Sequence, residues 1–511
     1  MVRVWRRGTR GAVAIALGMA AIGFPGAAMA QIVPDGTLGS EGSIVTPGLE
    51  LDGRILDRID GGAIRDANLF HSFSEFNVGT LQQVYFANPA GIDRILTRIT
   101  GENLSTISGT LGVLGDADLF FLNPNGIIFT DSAILDLNGS FIASTADSIV
   151  FDNFNFSASS PQMPPLLTMG VPLGLQYGTN PGSIVNSARV RPDLLGDRIH
   201  FPSQIPATNS IRTAPGLQVV PGETIALVGG ELQLTNGNVT ALGGRIELGS
   251  VASDDTVSLT QVANGWALSY ENIEAFSDIS LSNQATVDAS GVIFPNGPMV
   301  PPVPIVMGNS GDVQVRGRNI SLDSSAIAST HFGMGTGGSL SITASSLTLQ
   351  GETIRTPADP TGQLPPGLIA QVFSPGQGGD ITITTETLTV LDGNGISAST
   401  QGAGNAGNLT VNVSESILID GSGVVMLPNG MMMRFPSGLF ATQDAFGAPG
   451  NGGNLTVNTE RLIVREGGNI STGNRGSGVG GNLTVNAESI ELNGQRVDGQ
   501  FPSGLFSSTN G

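Results

Sequence analysis

Neither lysine nor cysteine occurs anywhere in the 511 residues. Without lysine there is no P-loop, no Schiff base and no amine nucleophile; without cysteine there is no thiol catalyst and no disulfide framework. Only three histidines are present, His71, His200 and His331, and they lie far apart. A metal centre would have to rest on carboxylates or on distant positions, so the reading is no metal, no cofactor and no enzyme. Positive charge is scarce: 22 Arg stand against 42 acids, a net charge of -20. Four of those Arg (Arg3, Arg6, Arg7, Arg10) and no acid fall in the first thirty residues, which leaves 18 Arg against 42 acids, or -24, in the rest. A surface that acidic repels phosphate backbones and anionic headgroups and argues against a nucleic-acid partner. Yet 40% of residues are hydrophobic and the mean hydropathy is +0.15, too apolar for a disordered acidic chain.

Residues 1–30 read as a signal peptide. An Arg-rich start leads into an apolar run over 12–24, then Pro25 and the small-residue ending Ala28-Met29-Ala30, with cleavage expected after Ala30. The run is shorter than the roughly 20 residues a membrane-spanning helix needs; the alternative is an uncleaved anchor. In an exported chain the lack of cysteine is informative, because a disulfide formed in the periplasm would obstruct later passage as an extended chain.

Internal repetition dominates the second half. Glycines preceding apolar alternation recur at Gly311, Gly338, Gly379, Gly407, Gly453 and Gly481, separated by 27, 41, 28, 46 and 28 residues. Apolar residues follow at offsets 2 and 4, then 9 and 11, as in Val313, Val315, Ile320 and Leu322. The Gly407 repeat slips by one in its second half, with Leu409, Val411, Ile417 and Ile419. This predicts two alternating strands per repeat, each with one buried and one wet face. The long spacings arise from extra residues at 355–369 and 426–439, confined to one corner, as a solenoid tolerates. Asn408, Asn454 and Asn482 share one repeat position and Asn412, Asn458 and Asn486 another, which predicts hydrogen-bonded ladders along the stack. The simplest architecture is all-β, a right-handed parallel β-helix. At about 4.8 Å per coil and roughly 20–28 residues per coil, it makes a rod on the order of 80–110 Å. Within GIDRILTRIT the apolar spacing also suits a helix, but Thr97, Thr100 and the isoleucines favour a strand.

Several apparent chemical motifs dissolve on inspection. Three matches to G-x-G-x-x-G, starting at Gly333, Gly402 and Gly476, occupy the same corner of the repeat and open no helix, so they read as turn glycines. There is no G-x-S-x-G elbow. The enzymatic alternative is a secreted β-helical polysaccharide lyase or hydrolase, with Asp116 and Asp118, or Asp254 and Asp255, as candidate carboxylate pairs. Both pairs sit beside turn-like Gly or Ser and read as solvated turn acids. Arg also reads as too sparse in the repeats to build a cationic clamp for a uronate polymer.

Residues 69–145 carry specific words: LFHSFSEFNVG, VYFANPAGI, LTRITGENLSTISGTL, LFFLNPNGIIF and SFIAST. Together with GETIALVGGELQLTNGNVTALGGRIELGSV and GWALSY, this stretch resembles the amino-terminal secretion domain of the filamentous haemagglutinin family, the exoproteins of two-partner secretion (TPS) in Gram-negative bacteria. The resemblance spans roughly 31–290. It implies recognition in the periplasm by the periplasmic domains of an outer-membrane β-barrel transporter, followed by folding outside as a β-helix. It also places Asn123, Pro124, Asn125, Gly126 and Ile127 in the secretion motif. A second family element, Asn-Pro-Asn-Leu in many members, is matched only by Asn88-Pro89-Ala90-Gly91, or by Asn103-Leu104 without the proline. Read without the family, Asn-Pro-Asn-Gly is a turn between two apolar strands, and an unpaired strand edge nearby can add to a partner's sheet.

The expected organisation is a signal peptide (1–30), a secretion domain (31–290) with a Pro-, Ser- and Asn-rich excursion at about 157–216, a Pro-rich loop (291–310), and repeats (311–511). The expected function is a secreted or cell-surface adhesin, with a cell-surface or carbohydrate ligand. A self-contained autotransporter would need a carboxy-terminal membrane barrel, and the chain runs in repeat sequence instead. FPSGLF recurs at 435–440 and 501–506, and the chain reads as a truncated version of a longer one.

Overall fold

The computed structural model describes residues 31–508 apart from 52, 166–169, 190–215, 264, 292–307, 352–353, 357–358, 365, 427–431 and 500. The signal peptide with Ala28 and Ala30, His200 and nearly all of the Pro-rich loop lie outside the described residues. Among the described residues the only helix is a single 3-10 turn, Gly39–Glu41; everything else regular is strand.

The chain winds into coils whose strands form three parallel faces. Strands of the first face run from Asn68–Phe76, Arg94–Ile99 and Asp118–Leu122 through to the start of Leu483–Asn493, each paired in parallel with the next. The second face includes Ser105–Ile107, Ile127–Phe129, Ile184–Asn186 and Leu232–Thr235. The third is made of two ladders, one from Gln83–Ala87 to Ile134–Asp136 and one from Leu217–Gln218 to Gly504–Phe506. This is a parallel β-helix, and GIDRILTRIT contributes a fully buried strand to its first face. Side chains pointing inward from all three faces merge into one continuous apolar column.

The repeats hold three strands each, where the sequence predicted two. The two foreseen strands are the first and second faces; the third is a three-residue strand such as Ala326–Ala328 or Asn469–Ser471, too short to show alternation. The echoed FPSGLF segments end in such strands, Gly438–Phe440 and Gly504–Phe506. Coils are stacked twelve high on the first face, so the ladder runs only about 53 Å at ~4.8 Å per step. The longer rod expected from chain length is not formed, because many residues leave the coil.

The repeat glycines stack in a column above Gly244, where a methyl group on any one would overlap the glycine of the coil before it. The one-residue slip in the Gly407 repeat is absorbed as a bulge between the first and second faces, on both sides of that coil. Asn454 Nδ2 donates to Asn408 Oδ1 at 3.2 Å; Asn458 and Asn486 extend the other ladder at 2.7 and 2.8 Å. The insertions form antiparallel hairpins, Ile354–Thr356 with Asp359–Leu364 and Ser422–Met426 with Met432–Pro436, both leaving between the second and third faces.

Two features set the first half apart. Antiparallel strands close the amino-terminal end: Ile32–Pro34 and Ala63–Arg65 pair with Asn68–Phe76, and Ser43–Leu51 pairs with Arg54–Gly61. A five-stranded antiparallel sheet also lies on the outside of the first face, in the order Asn155–Ser157, Ser148–Val150, Gly174–Gln176, Thr256–Gln261, Trp266–Ser269. Beneath it the outward side chains Phe70, Leu96, Phe120, Leu122 and Ile142 form a second core with Phe156, Tyr177 and Trp266. The first-face strands here are buried on both sides and therefore read as unbroken apolar words such as LFFL. The excursion at 157–216 is thus only partly outside the helix, since Gly174–Gln176 joins this outer sheet and Ile184–Asn186 returns to the second face.

Candidate functional site

Asn123 follows the first-face strand Asp118–Leu122, and Ile127 begins the second-face strand Ile127–Phe129, so the motif is a corner. Asn123 is fully buried. Its Nδ2 donates to Asn103 O at 3.1 Å and Ser105 Oγ at 2.9 Å, and its Oδ1 accepts from the Asn125 backbone at 3.0 Å, closing an Asx turn. The backbone is consumed as well: Asn123 N donates to Ser144 O at 3.0 Å, Gly126 N to Asn123 O at 3.1 Å, and Pro124 O accepts from Gly182 N at 2.9 Å. Gly126 sits at φ 126°, and a Cβ there would lie 3.0 Å from Ser183 O. Ile127 points into the main core. Asn125 alone has an exposed side chain, and its Nδ2 donates to Gly101 O at 2.7 Å.

The candidates for the second family element separate. Asn103 and Leu104 stack directly on the Asn123 corner, Asn103 O being one of its acceptors and Leu104 Cβ lying beside Gly126. Asn103 Nδ2 also donates to Glu75 at 3.2 Å, and Leu104 is 42% exposed. Asn88, Pro89 and Gly91 instead occupy the turn from the third face to the first, where Asn88 Nδ2 donates to Ile92 O at 2.9 Å and Asn88 Oδ1 accepts from Ala117 N at 3.1 Å. The fold therefore brings Asn103 and Leu104 to the motif and leaves Asn88–Gly91 on another corner.

Around this corner lie buried polar groups that sequence reasoning missed. Arg98 is fully buried on the outer side of the first face, with Nε to Ser72 Oγ at 3.0 Å, one guanidinium nitrogen to Ser157 O at 2.9 Å and the other to Thr37 Oγ1 at 2.9 Å, its plane 4.3 Å from the Phe156 ring. Burial pulls its pKa down to about 10, opposed by Asp35. Burial also raises the Asp35 pKa, but hydrogen bonds from Thr100, Thr37 and Ser72 outweigh it and hold the carboxyl below its usual range. Arg65 pairs with Glu41 at 2.7 Å, tying the closing strand Ala63–Arg65 to the 3-10 turn. His71 is fully buried; Nδ1 meets Ser43 Oγ at 2.9 Å, Nε2 has no hydrogen-bond partner among the described residues, and desolvation takes its pKa down to about 3, so the ring is neutral. A signal for the outward Arg was present in the words themselves, since Arg94 and Arg98 alternate with Ile95 and Ile99.

The acid pairs do not converge on one groove. Asp116 is exposed and bonded to Asn138 at 3.0 Å. Asp118, expected as a solvated turn acid, lies under the outer sheet, accepting from Trp266 Nε1 at 2.8 Å with its pKa raised chiefly by burial. Asp254 binds Gln176, and Asp255 caps Glu274 N, its pKa lowered by that bond. The three G-x-G-x-x-G matches lie in bends and open no helix. Among the described residues no group of three or more His, Asp or Glu is placed to hold a metal, and no helix is long and apolar enough to cross a membrane.

Against this geometry, the family model of the TPS secretion domain matches residues 30–315, more than half of the chain. The chain belongs to the TPS secretion domain family. The match runs from the closing strands through the outer sheet and ends at the first-face strand Asp312–Arg316, so the TPS domain includes both features that distinguish the first half. Proteins with a TPS domain are exoproteins of two-partner systems, recognised by an outer-membrane transporter and secreted across the outer membrane of Gram-negative bacteria. No curated protein matches the chain.

Proposed function

We propose that the transporter reads the Asn123–Ile127 motif while the chain is still extended, and that the same residues then close the corner once outside. The observation that supports this is the burial of Asn123 with every polar group satisfied inside the fold. A partner meeting the folded domain would touch chiefly Asn125. In the extended chain these donors and acceptors are free to pair with a strand edge of the transporter's periplasmic domains. Closing the corner outside then disfavours backsliding, because coil-on-coil stacking adds one interface at a time without nucleotide hydrolysis.

The folded product is a surface-held or released adhesin, not an enzyme; a β-helix with regular ladders suits repeated contact with an extended ligand. The motif is tested by co-expressing the chain with its transporter and comparing export of wild type, Asn123→Ala and Asn125→Ala. Reduced export of both, with the retained material unfolded, is the expected result. Undiminished export of both variants would leave the motif a purely structural corner.

A further inference from the structure

The outward side of the third face carries a groove of 820 Å³ over the last coils. Its floor is the strands Gly395–Ser397, Gly438–Phe440, Asn469–Ser471 and Gly504–Phe506. Ser397 and Ser471 present hydroxyls there, while those of Ser399 and Thr442 are buried and bond each other at 2.8 Å. The Phe440 ring folds back over Gly438 and the Phe506 ring over Gly504, where any side chain would collide, so the rings lie along the sheet instead of standing away from it. That is the physical content of the repeated Ser-Gly-Leu-Phe. One wall is the second hairpin with Arg434 and Phe435; others bring Asp444, Arg475, Arg496 and Phe501.

Charge is segregated here. Residues 311–511 contain eight Arg and fifteen acids, but the lining holds three of those Arg and a single acid, Asp444. Arg496 is committed, paired to Asp498 at 2.7 Å and lying 4.3 Å over Phe501. Arg475 faces Phe446 at 5.9 Å, and Arg434 forms no ion pair among the described residues. The sequence reads Arg as too sparse for a clamp; the coil gathers it from separate corners.

We propose that this groove binds an acidic polysaccharide, with Arg434 and Arg475 taking its anionic groups and Phe440 and Phe506 the apolar faces of its sugar rings. A guanidinium meets a carboxylate or sulfate through parallel hydrogen bonds, and hydroxyl-rich walls match sugar hydroxyls. Along the floor Ser397, Phe440, Ser471 and Phe506 align on successive coils, so the rings recur at every second ~4.8 Å step, about 9.6 Å apart, as a polymer of repeating units requires. The inference rests on the adhesin reading for its setting, but it is tested on purified chain in solution, so a failure of binding and a failure of export are read separately.

The experiment measures affinity of the full chain for polygalacturonate, alginate, hyaluronan and chondroitin sulfate, against dextran and fully methyl-esterified polygalacturonate as uncharged comparators. At least one acidic polymer is expected to bind and the comparators not. Arg434→Gln and Arg475→Gln are each expected to weaken that binding about tenfold with the melting temperature unchanged. Binding to none of the acidic polymers, equal binding to the uncharged ones, or full affinity in both variants would overturn the proposal.

Discussion

At the residue scale the proposed secretion motif divides into a side chain that holds the fold and one that does not. Asn123→Ala strands Asn103 O and Ser105 Oγ and opens the Asx turn, which costs about 1–3 kcal/mol in a denaturation experiment. Asn125→Ala gives up an exposed bond to Gly101 and costs less than about 1 kcal/mol. Glu247 supplies a pH dependence. It points outward from the first face under the outer sheet and is fully buried, accepting a 3.4 Å bond from Leu268 N. Desolvation pushes its pKa up to about 8 from 4.5, against the pull of Arg245. Between those values the folded chain holds a proton that the unfolded chain has released, so this contribution weakens stability as pH rises through the window. Glu247→Gln keeps the shape without the titration and is expected to be roughly 1–3 kcal/mol more stable than wild type near pH 8, with the difference shrinking towards pH 4. Denaturant titrations at pH 4, 6 and 8 check this; a difference that grows on acidification would contradict it. None of these partners was legible beforehand: Asn-Pro-Asn-Gly announces a turn, but what fills the Asn side chain comes from Ser105, eighteen residues away in sequence and one coil below.

At the element scale, legibility followed periodicity. From Gly311 onward the first- and second-face strands have one buried and one wet side, as in Asp312–Arg316 and Ser346–Gln350, so their pattern and their ladders could be read directly. In the TPS domain the outer sheet buries the outward side of the first-face strands too, and alternation disappears from words such as LFFL. The outer sheet escaped notice because its strands are short and come from segments interrupted by Pro and Ser. Trp266 is its main anchor, fully buried and 5.2 Å from Phe120 in an edge-to-face contact. Trp266→Ala removes that anchor and the donor to Asp118, and is expected to cost about 3–5 kcal/mol, read as a lowered unfolding midpoint by circular dichroism. The hairpin Ser422–Met426 with Met432–Pro436 is the opposite case, an outgrowth at a corner. Replacing 422–436 by a short turn should leave the stack's melting temperature within a few degrees, since Ser437 Oγ still ties Asp420 O and Gly393 N at 2.7 and 2.9 Å. A collapse of the β signal on excision would show that the hairpin is part of the core.

At the scale of the whole molecule, an acidic chain free of cysteine and lysine, a solenoid built one coil at a time and a TPS domain closed at its amino-terminal end belong to one scheme. In the proposed scheme export comes first, in an extended state that no disulfide can block, and folding follows by stacking. Length alone misled the estimate of the rod, because the outer sheet and the hairpins draw residues away from the axis. The decisive measurement compares culture medium from Gram-negative cells with and without the cognate outer-membrane transporter, for the intact chain and for one lacking residues 31–315. The intact chain should appear outside, folded and rich in β structure, only where the transporter is present, and the deleted chain should stay in the periplasm. Equal release without the transporter, or release of the deleted chain, would contradict the assignment of export to this domain.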